Sequence, residues 1–403
     1  EVLMGIEDLL RVHGKPAKEV YLDNENSGWV PREVVEAMIP YFNVVGYGHP
    51  SITNKPGWEA FEVLDETSEL VAKTLNGDKE DVNFVHSGTE ANNLAIIGSA
   101  RANRSRGRKI IVSDIEHYSV LLPALSLEEA GFKVVRAPVD EQGFVMGEIL
   151  SELVDKDTLL VSIQHVNHEI GTVQRLRELI EVVRDRNPDA LFHTDACDAY
   201  ARVPIDLNEL DVDMLTVSSH KILGPKGAAV LYVRDDVEVQ PVLRGALSGQ
   251  ALWPGVENVP AIAGFRKAIE LAFEDFDGNV RKMTSLRDFL IGSIIDSVPE
   301  CILNGPSGKE RAPDNVNMSF LRVEGEALTV ELSMRGVYVS SGSACTSRVL
   351  EPSHVMLAIG RKHEEAHGSL LFKLTRYHGM EEMRYVSEQV REAVERLRSM
   401  SPL

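Results

Sequence analysis

The sequence predicts an α/β protein: a large domain with a seven-stranded, mostly parallel sheet over residues 20–259, and a smaller α+β domain formed by 1–19 and 260–403. Three observations predict it. Apolar runs bounded by turn signals, at 82–85, 109–113, 133–137, 158–164, 190–194, 214–217 and 228–233, have the length and composition of buried strands. Helical patterns fall between most of them, so the connections are crossovers and the strands run parallel. From about Pro260 the pattern changes to long amphipathic helices, 261–276 and 281–298, then strands and a loop.

The flanking elements follow the same logic. Residues 6–12 read as a short helix, 20–23 as a strand and 31–41 as a helix opened by Pro31. A loop punctuated by glycine and proline over 47–57 precedes a helix from about 58 to 75. The chain closes with the run 371–377 and a charged helix to about Met400.

Composition narrows the function classes. The formal net charge of -20 over 403 residues argues against nucleic acid or an anionic membrane as the main partner. Residues 1–20 hold no basic flank followed by an apolar core, and no run approaches the roughly 20 apolar residues of a spanning helix, so a cytoplasmic protein is expected. Cys197, Cys301 and Cys345 are too scattered for a disulfide framework or a zinc pair and read as lone thiols.

In doubly wound sheets, ligands bind beyond the carboxyl ends of the strands. The residues placed there are chemically active types. Run 82–85 leads to His86-Ser-Gly88-Thr89, a glycine turn opening a helix, where free N–H groups favour phosphate. Run 109–113 leads to Glu116-His117, run 158–164 to His165-Val-Asn167, and run 190–194 to Asp195. Lys221 lies on the connection between the last two strands, beside Ser218, Ser219 and His220. Desolvation there is expected to lower its pKa and make it nucleophilic towards an aldehyde, with the hydroxyls and imidazole binding an anion. That set suits pyridoxal 5'-phosphate held as a Schiff base.

Ser-Gly-Thr-Glu-Ala-Asn-Asn-Leu at 87–94, Glu116-His117, His-Val-Asn-His-Glu-Ile-Gly at 165–171, Asp195, Ser-Ser-His-Lys at 218–221, Ser-Gly-Ser-Ala-Cys at 341–345 and Arg376 together resemble the NifS/IscS-like cysteine desulfurases of the class V aminotransferase group. The resemblance spans about Tyr21 to Arg398 and implies the fold type I architecture of enzymes using pyridoxal 5'-phosphate. It further implies that Lys221 binds the cofactor and moves the substrate's Cα proton, that Asp195 pairs with the ring nitrogen, and that His117 stacks on the ring and serves in proton transfer. Gly88, Thr89, Ser218 and His220 would hold the phosphate, Asn167 the ring substituents and substrate, and Arg376 the substrate carboxylate. Cys345, on a loop expected to move, would take sulfur from L-cysteine as a persulfide and release L-alanine. A homodimer and a sulfur acceptor such as an iron–sulfur scaffold are implied as partners.

Departures from the family pattern leave a related substrate such as selenocysteine, or a catalytically weakened scaffold protein, as alternatives. The family's Asp-Asn-Asn-Ala-Thr-Thr is Asp23-Asn-Glu-Asn-Ser-Gly28 here, and Val256 stands near the family threonine that reaches a partner subunit's phosphate. Asp198 replaces a glutamine that donates to the cofactor's phenolate oxygen; a carboxylate there is expected to keep the Schiff base protonated to higher pH. His363-Glu-Glu-Ala-His367 matches the zinc-protease pattern. Its continuation, Gly368-Ser369, fits a desulfurase segment instead, so no metal is expected.

Overall fold

A computed structural model describes residues 16, 18–51, 53–245, 252–341 and 352–400. The helix expected at 6–12 and the Cys345 loop lie outside them. Strand β1 (Val20–Tyr21) is followed by helices α1 (Arg32–Met38) and α2 (Lys55–Leu75). Helix α2 starts three residues before the apolar pattern, because the Asn54 side chain accepts from Gly57 N at 2.9 Å and proline occupies the first turn.

The seven strands of the main sheet match the runs read from sequence to within two residues at either end. They are β2 (Val82–Val85), β3 (Lys109–Ser113), β4 (Lys133–Ala137), β5 (Thr158–Ser162), β6 (Leu191–Asp195), β7 (Met214–Ser218) and β8 (Ala229–Val233). Helices α3 (Gly88–Asn93), α4 (Tyr118–Ser126), α5 (Gly147–Leu153) and α6 (Leu176–Arg186) lie on the crossovers. Strand order is β2-β8-β7-β6-β5-β3-β4. Six strands run in one direction and β8 alone runs against them. The cause is the link from β7: residues 219–228 hold a single 3₁₀ turn, too short for the crossover that a parallel pair needs. Lys221 sits in that turn, beside the carboxyl end of β6.

Beyond the sheet come helices α7 (Val259–Phe273) and α8 (Phe276–Ser297), strands β9 (Cys301–Leu303) and β10 (Asn315–Phe320), and helix α9 (Gly325–Met334). Strands β11 (Val337–Tyr338) and β12 (Ser340–Ser341), helices α10 (His354–Ala358) and α11 (His363–His367), strand β13 (Ser369–Lys373) and helix α12 (Met380–Met400) complete the described chain. A second sheet, β12-β13-β10-β9, packs with α8, α9 and α12 around its own apolar core. The division expected at residue 260 needs correction. Val259, Ile262, Phe265 and Ile269 of α7 are buried in the core of the main sheet, and Val20 of β1 in the other. The amphipathic pattern of α7 reveals a buried face but not which sheet it covers. Among the described residues, no helix is long and apolar enough to cross a membrane.

Candidate active site

A cavity of about 190 Å³ opens where the carboxyl ends of β2, β3, β6 and β7 meet the edge of the second sheet. Gly88, Thr89, His117, Asp195, Asp198, Ser218, His220 and Lys221 all line it, as do Glu25, Asn26, Asn92, Cys197, His168, Glu169 and Leu371.

Its floor is Asp195, the last residue of β6. Asp195 Oδ2 accepts from Asn92 Nδ2 at 2.7 Å and Oδ1 from Cys197 N at 2.9 Å, which fixes the carboxylate at the strand end. Asn92 also donates to Ser119 Oγ at 2.8 Å, and Ser119 Oγ meets His117 Nδ1 at 2.7 Å. One chain of hydrogen bonds therefore sets both Asp195 and His117. Burial, then the nearby His168 and Lys221, push His117 down to about 4, so its ring is neutral near pH 7. Behind it, burial raises the Glu116 carboxyl to about 8, and its Oε1 accepts from Gln164 N at 2.9 Å.

The rim near α3 is made for an anion. Ser218 Oγ and His220 Nδ1 are 2.8 Å apart and stand beside Gly88 and Thr89. A Cβ on Gly88 would lie 3.0 Å from Cys197 Sγ and 3.4 Å from Ser218 Cβ, so only glycine leaves the cradle open. The donor set of this cradle, the acid on the floor and the lysine beside it fit a phosphorylated aldehyde with a basic ring nitrogen.

Lys221 differs from expectation. Its Nζ donates to Glu25 Oε1 and, at 3.1 Å, to Asp198 Oδ2. Burial lowers its pKa, but Asp198 and Glu25 outweigh burial and the net shift is upward. The amine is therefore an ammonium here, which corrects the lowered pKa expected from burial alone. Burial also acts on Asp198, yet Lys221 and Lys373 hold it well below the usual carboxylate range; burial and then Asp198 push Glu25 upward. The segment carrying Glu25 can approach because Gly28 has no side chain: a Cβ there would meet Leu223 Cδ2 at 2.9 Å and His220 O at 3.1 Å.

Two residues assigned by resemblance are not at the cavity. Asn167 Oδ1 accepts from Glu169 N and Ile170 N, at 3.0 and 2.8 Å, and its Nδ2 donates to Ile115 O at 3.0 Å. These bonds shape the turn that presents His168 and Glu169 instead. Glu169 raises the buried His168 against the effect of burial. Arg376 lines a separate, smaller cavity that Lys221 also borders, with its guanidinium 4.9 Å from the Tyr377 ring centroid. Val256 is 67% exposed. His363 and His367 are both exposed, and among the described residues no cluster of three or more His, Cys, Asp or Glu could hold a metal.

Glu25, Asn92, His168 and Lys373 went unread as site residues. Glu25 and Asn92 do lie in the 23–28 and 87–94 stretches compared with the family pattern, and Lys373 is a lone charge in an apolar run.

A family model described as aminotransferase class-V matches residues 20–386. The chain is 42% identical to "Cysteine desulfurase IscS 1" of Archaeoglobus fulgidus, covering 95% of this chain and 99% of that relative. A solved structure described as "NIFS-LIKE PROTEIN" superposes with a TM-score of 0.87 at 32% identity, over 94% of this chain and 100% of that one. Another, described as "SspA in complex with cysteine", gives 0.77 at 30% identity, over 89% and 99%.

Proposed function

The chain belongs to the aminotransferase class-V family and, within it, to the cysteine desulfurases; on that premise we propose that it uses pyridoxal 5'-phosphate at Lys221 to take sulfur from L-cysteine and release L-alanine. The observation that carries this reading is the convergence of Lys221, Asp195, His117 and the cradle of Gly88, Thr89, Ser218 and His220 on one cavity.

Pyridoxal 5'-phosphate supplies an electron sink that lets the substrate's Cα give up its proton. Lys221 would hold the cofactor through its Nζ, and Asp195 would hold the ring nitrogen. Asp195 arrives pre-oriented, since Asn92 and the Cys197 amide occupy both of its oxygens. Backbone N–H groups after Gly88, with Ser218 and His220, would donate to the phosphate. His117 is neutral near pH 7 and its Nδ1 accepts from the Ser119 amide at 3.1 Å, so the ring proton sits on Nε2, which would donate it. Lys221 would take the Cα proton, with Glu25 and Asp198 holding its ammonium meanwhile, and would return that proton to Cα before L-alanine leaves.

Cys345 then receives the sulfur. Its thiolate attacks the substrate sulfur, the bond from sulfur to Cβ breaks, and Cβ gains a proton as L-alanine leaves. A homodimer and a sulfur acceptor such as an iron–sulfur scaffold complete the proposal. Arg376 has no place in it, since its guanidinium borders the other cavity.

Absorbance spectra test the reading. The protein loaded with pyridoxal 5'-phosphate is expected to show a long-wavelength band that L-cysteine changes, with L-alanine formed in the presence of a reductant. Lys221→Ala is expected to lose the band and at least about 10³-fold of the activity. Cys345→Ser should keep the band and its response but form no persulfide. A wild-type protein that stays colourless in the presence of the cofactor would sink the proposal.

A further inference from the structure

Behind the cavity wall opposite the strand ends lies a buried lysine that the chemistry above does not use. Lys221 Nζ pairs with Glu25 Oε1 and Asp198 Oδ2; Lys373 Nζ pairs with the other oxygen of each, at 3.3 Å to Glu25 Oε2 and 2.8 Å to Asp198 Oδ1. The four groups close a ring of alternating charge in which each carboxylate bridges both ammoniums. Lys373 also stands 3.6 Å from Asp314 Oδ1. Asp314 Oδ2 accepts from Arg202, whose guanidinium donates to the backbone oxygen of Lys221. Three cations and three carboxylates are thus linked around one reactive amine.

Packing does not explain Lys373. Its side chain has no exposed surface, and its neighbours on β13, Leu370, Leu371 and Phe372, are buried apolar residues. An apolar side chain would suit that site better than an ammonium unless the charge has a task. It does not line the cavity, so it acts through Glu25 and Asp198, which do. Its strand also brings it to the Glu25 segment directly: Asn24 Nδ2 donates to Lys373 O at 2.9 Å.

We propose that Lys373 is a positioning residue for Lys221: it fixes Glu25 and Asp198 on either side of the reactive nitrogen and offsets their charge there, setting how tightly that nitrogen keeps its proton. Two carboxylates alone would hold a positive nitrogen over a wide pH range. A cation on their outer oxygens weakens that hold without displacing them. The other charged or titratable groups facing Lys221 are Asp23 from the N-terminal segment, His117 after β3, Asp195, Cys197 and Arg202 after β6, and His220 in its own turn. None of these bridges both carboxylates.

The inference rests on Lys221 holding the cofactor. Its test is the pH midpoint of the long-wavelength band in protein loaded with pyridoxal 5'-phosphate, for wild type, Glu25→Gln, Asp198→Asn, Lys373→Met and the double variant Glu25→Gln/Lys373→Met. Lys373→Met should raise the midpoint by about one pH unit, and each carboxylate variant should lower it by a similar amount. The double variant, which keeps the ring neutral, should return close to wild type. An unchanged midpoint in a folded Lys373→Met protein overturns the proposal. If Lys373→Met does not fold, a double variant that also fails, or that titrates like Glu25→Gln alone, overturns it as well. Absence of any band in the wild type instead overturns the cofactor reading beneath it.

Discussion

The two walls that meet at Lys221 are built on different principles. One is made by strand ends: Asp195 terminates β6, and Gly88 and His117 follow β2 and β3 by a few residues. Its side chains are mostly neutral donors around a single acid. The other wall is a ring of charges drawn from residues 25, 198 and 373, far apart in sequence and brought together by the second sheet. The first wall follows from local pattern, whereas the second exists only in the folded chain. Binding groups can be placed by topology alone, but the protonation of the reactive amine is set by contacts that topology does not announce.

Mutations can separate the two walls. The largest effect is expected on the strand-end side: Asp195→Ala removes the proposed partner for the ring nitrogen and should lower desulfurase kcat by about 10²-fold or more, with the folded protein confirmed by circular dichroism. A pH effect should follow from the buried histidines in the main sheet and at its strand ends. Burial comes first among the causes that push His117, His165, His193 and His220 down to about 4 from an ordinary 6.5. Between those values the unfolded chain binds more protons than the native one, so stability rises with pH there and falls on acidification from about 6.5 to about 4. Urea midpoints measured across that window should decline; a flat profile would contradict the buried, neutral histidines.

Smaller effects are expected away from the cavity. Arg376→Lys should change KM for L-cysteine by less than about threefold, because the guanidinium borders another cavity; a rise of about 10²-fold would return it to the substrate's carboxylate. Ala substitution of His363 and His367, both exposed on α11, should shift stability by no more than about 0.5 kcal/mol in thermal melts and leave activity unaffected by chelators.

What the sequence revealed and what it did not divides along the same line. The seven strands were legible because buried parallel strands are short continuous apolar runs, and β3, β5, β6, β7 and β8 are buried at every position. Asp195, His117, Ser218 and Lys221 were legible as cavity residues because each lies within four residues of the end of such a run. The charge state of Lys221 was not, since burial and ion pairing act in opposite directions and its two partners, Asp198 and Glu25, lie 23 and 196 residues away. Asn167 read as a ligand because a polar residue after a strand serves equally well to shape a turn. Arg376 read as a carboxylate clamp because sequence order does not say on which side of a lysine a guanidinium emerges.

The reach of the Asn24 to Lys373 hydrogen bond, across 349 residues, has a consequence for synthesis. A ribosome releases Lys221 long before β13 exists, so a nascent chain can assemble the main sheet with Glu25 and Asp198 already made while the cation that offsets them, Lys373, is still missing. Contacts of such sequence separation form late in folding. Lys221 therefore acquires its final electrostatic surroundings only when the C-terminal strand docks, and a chain truncated ahead of residue 369 should hold the proposed phosphate cradle without the mature amine.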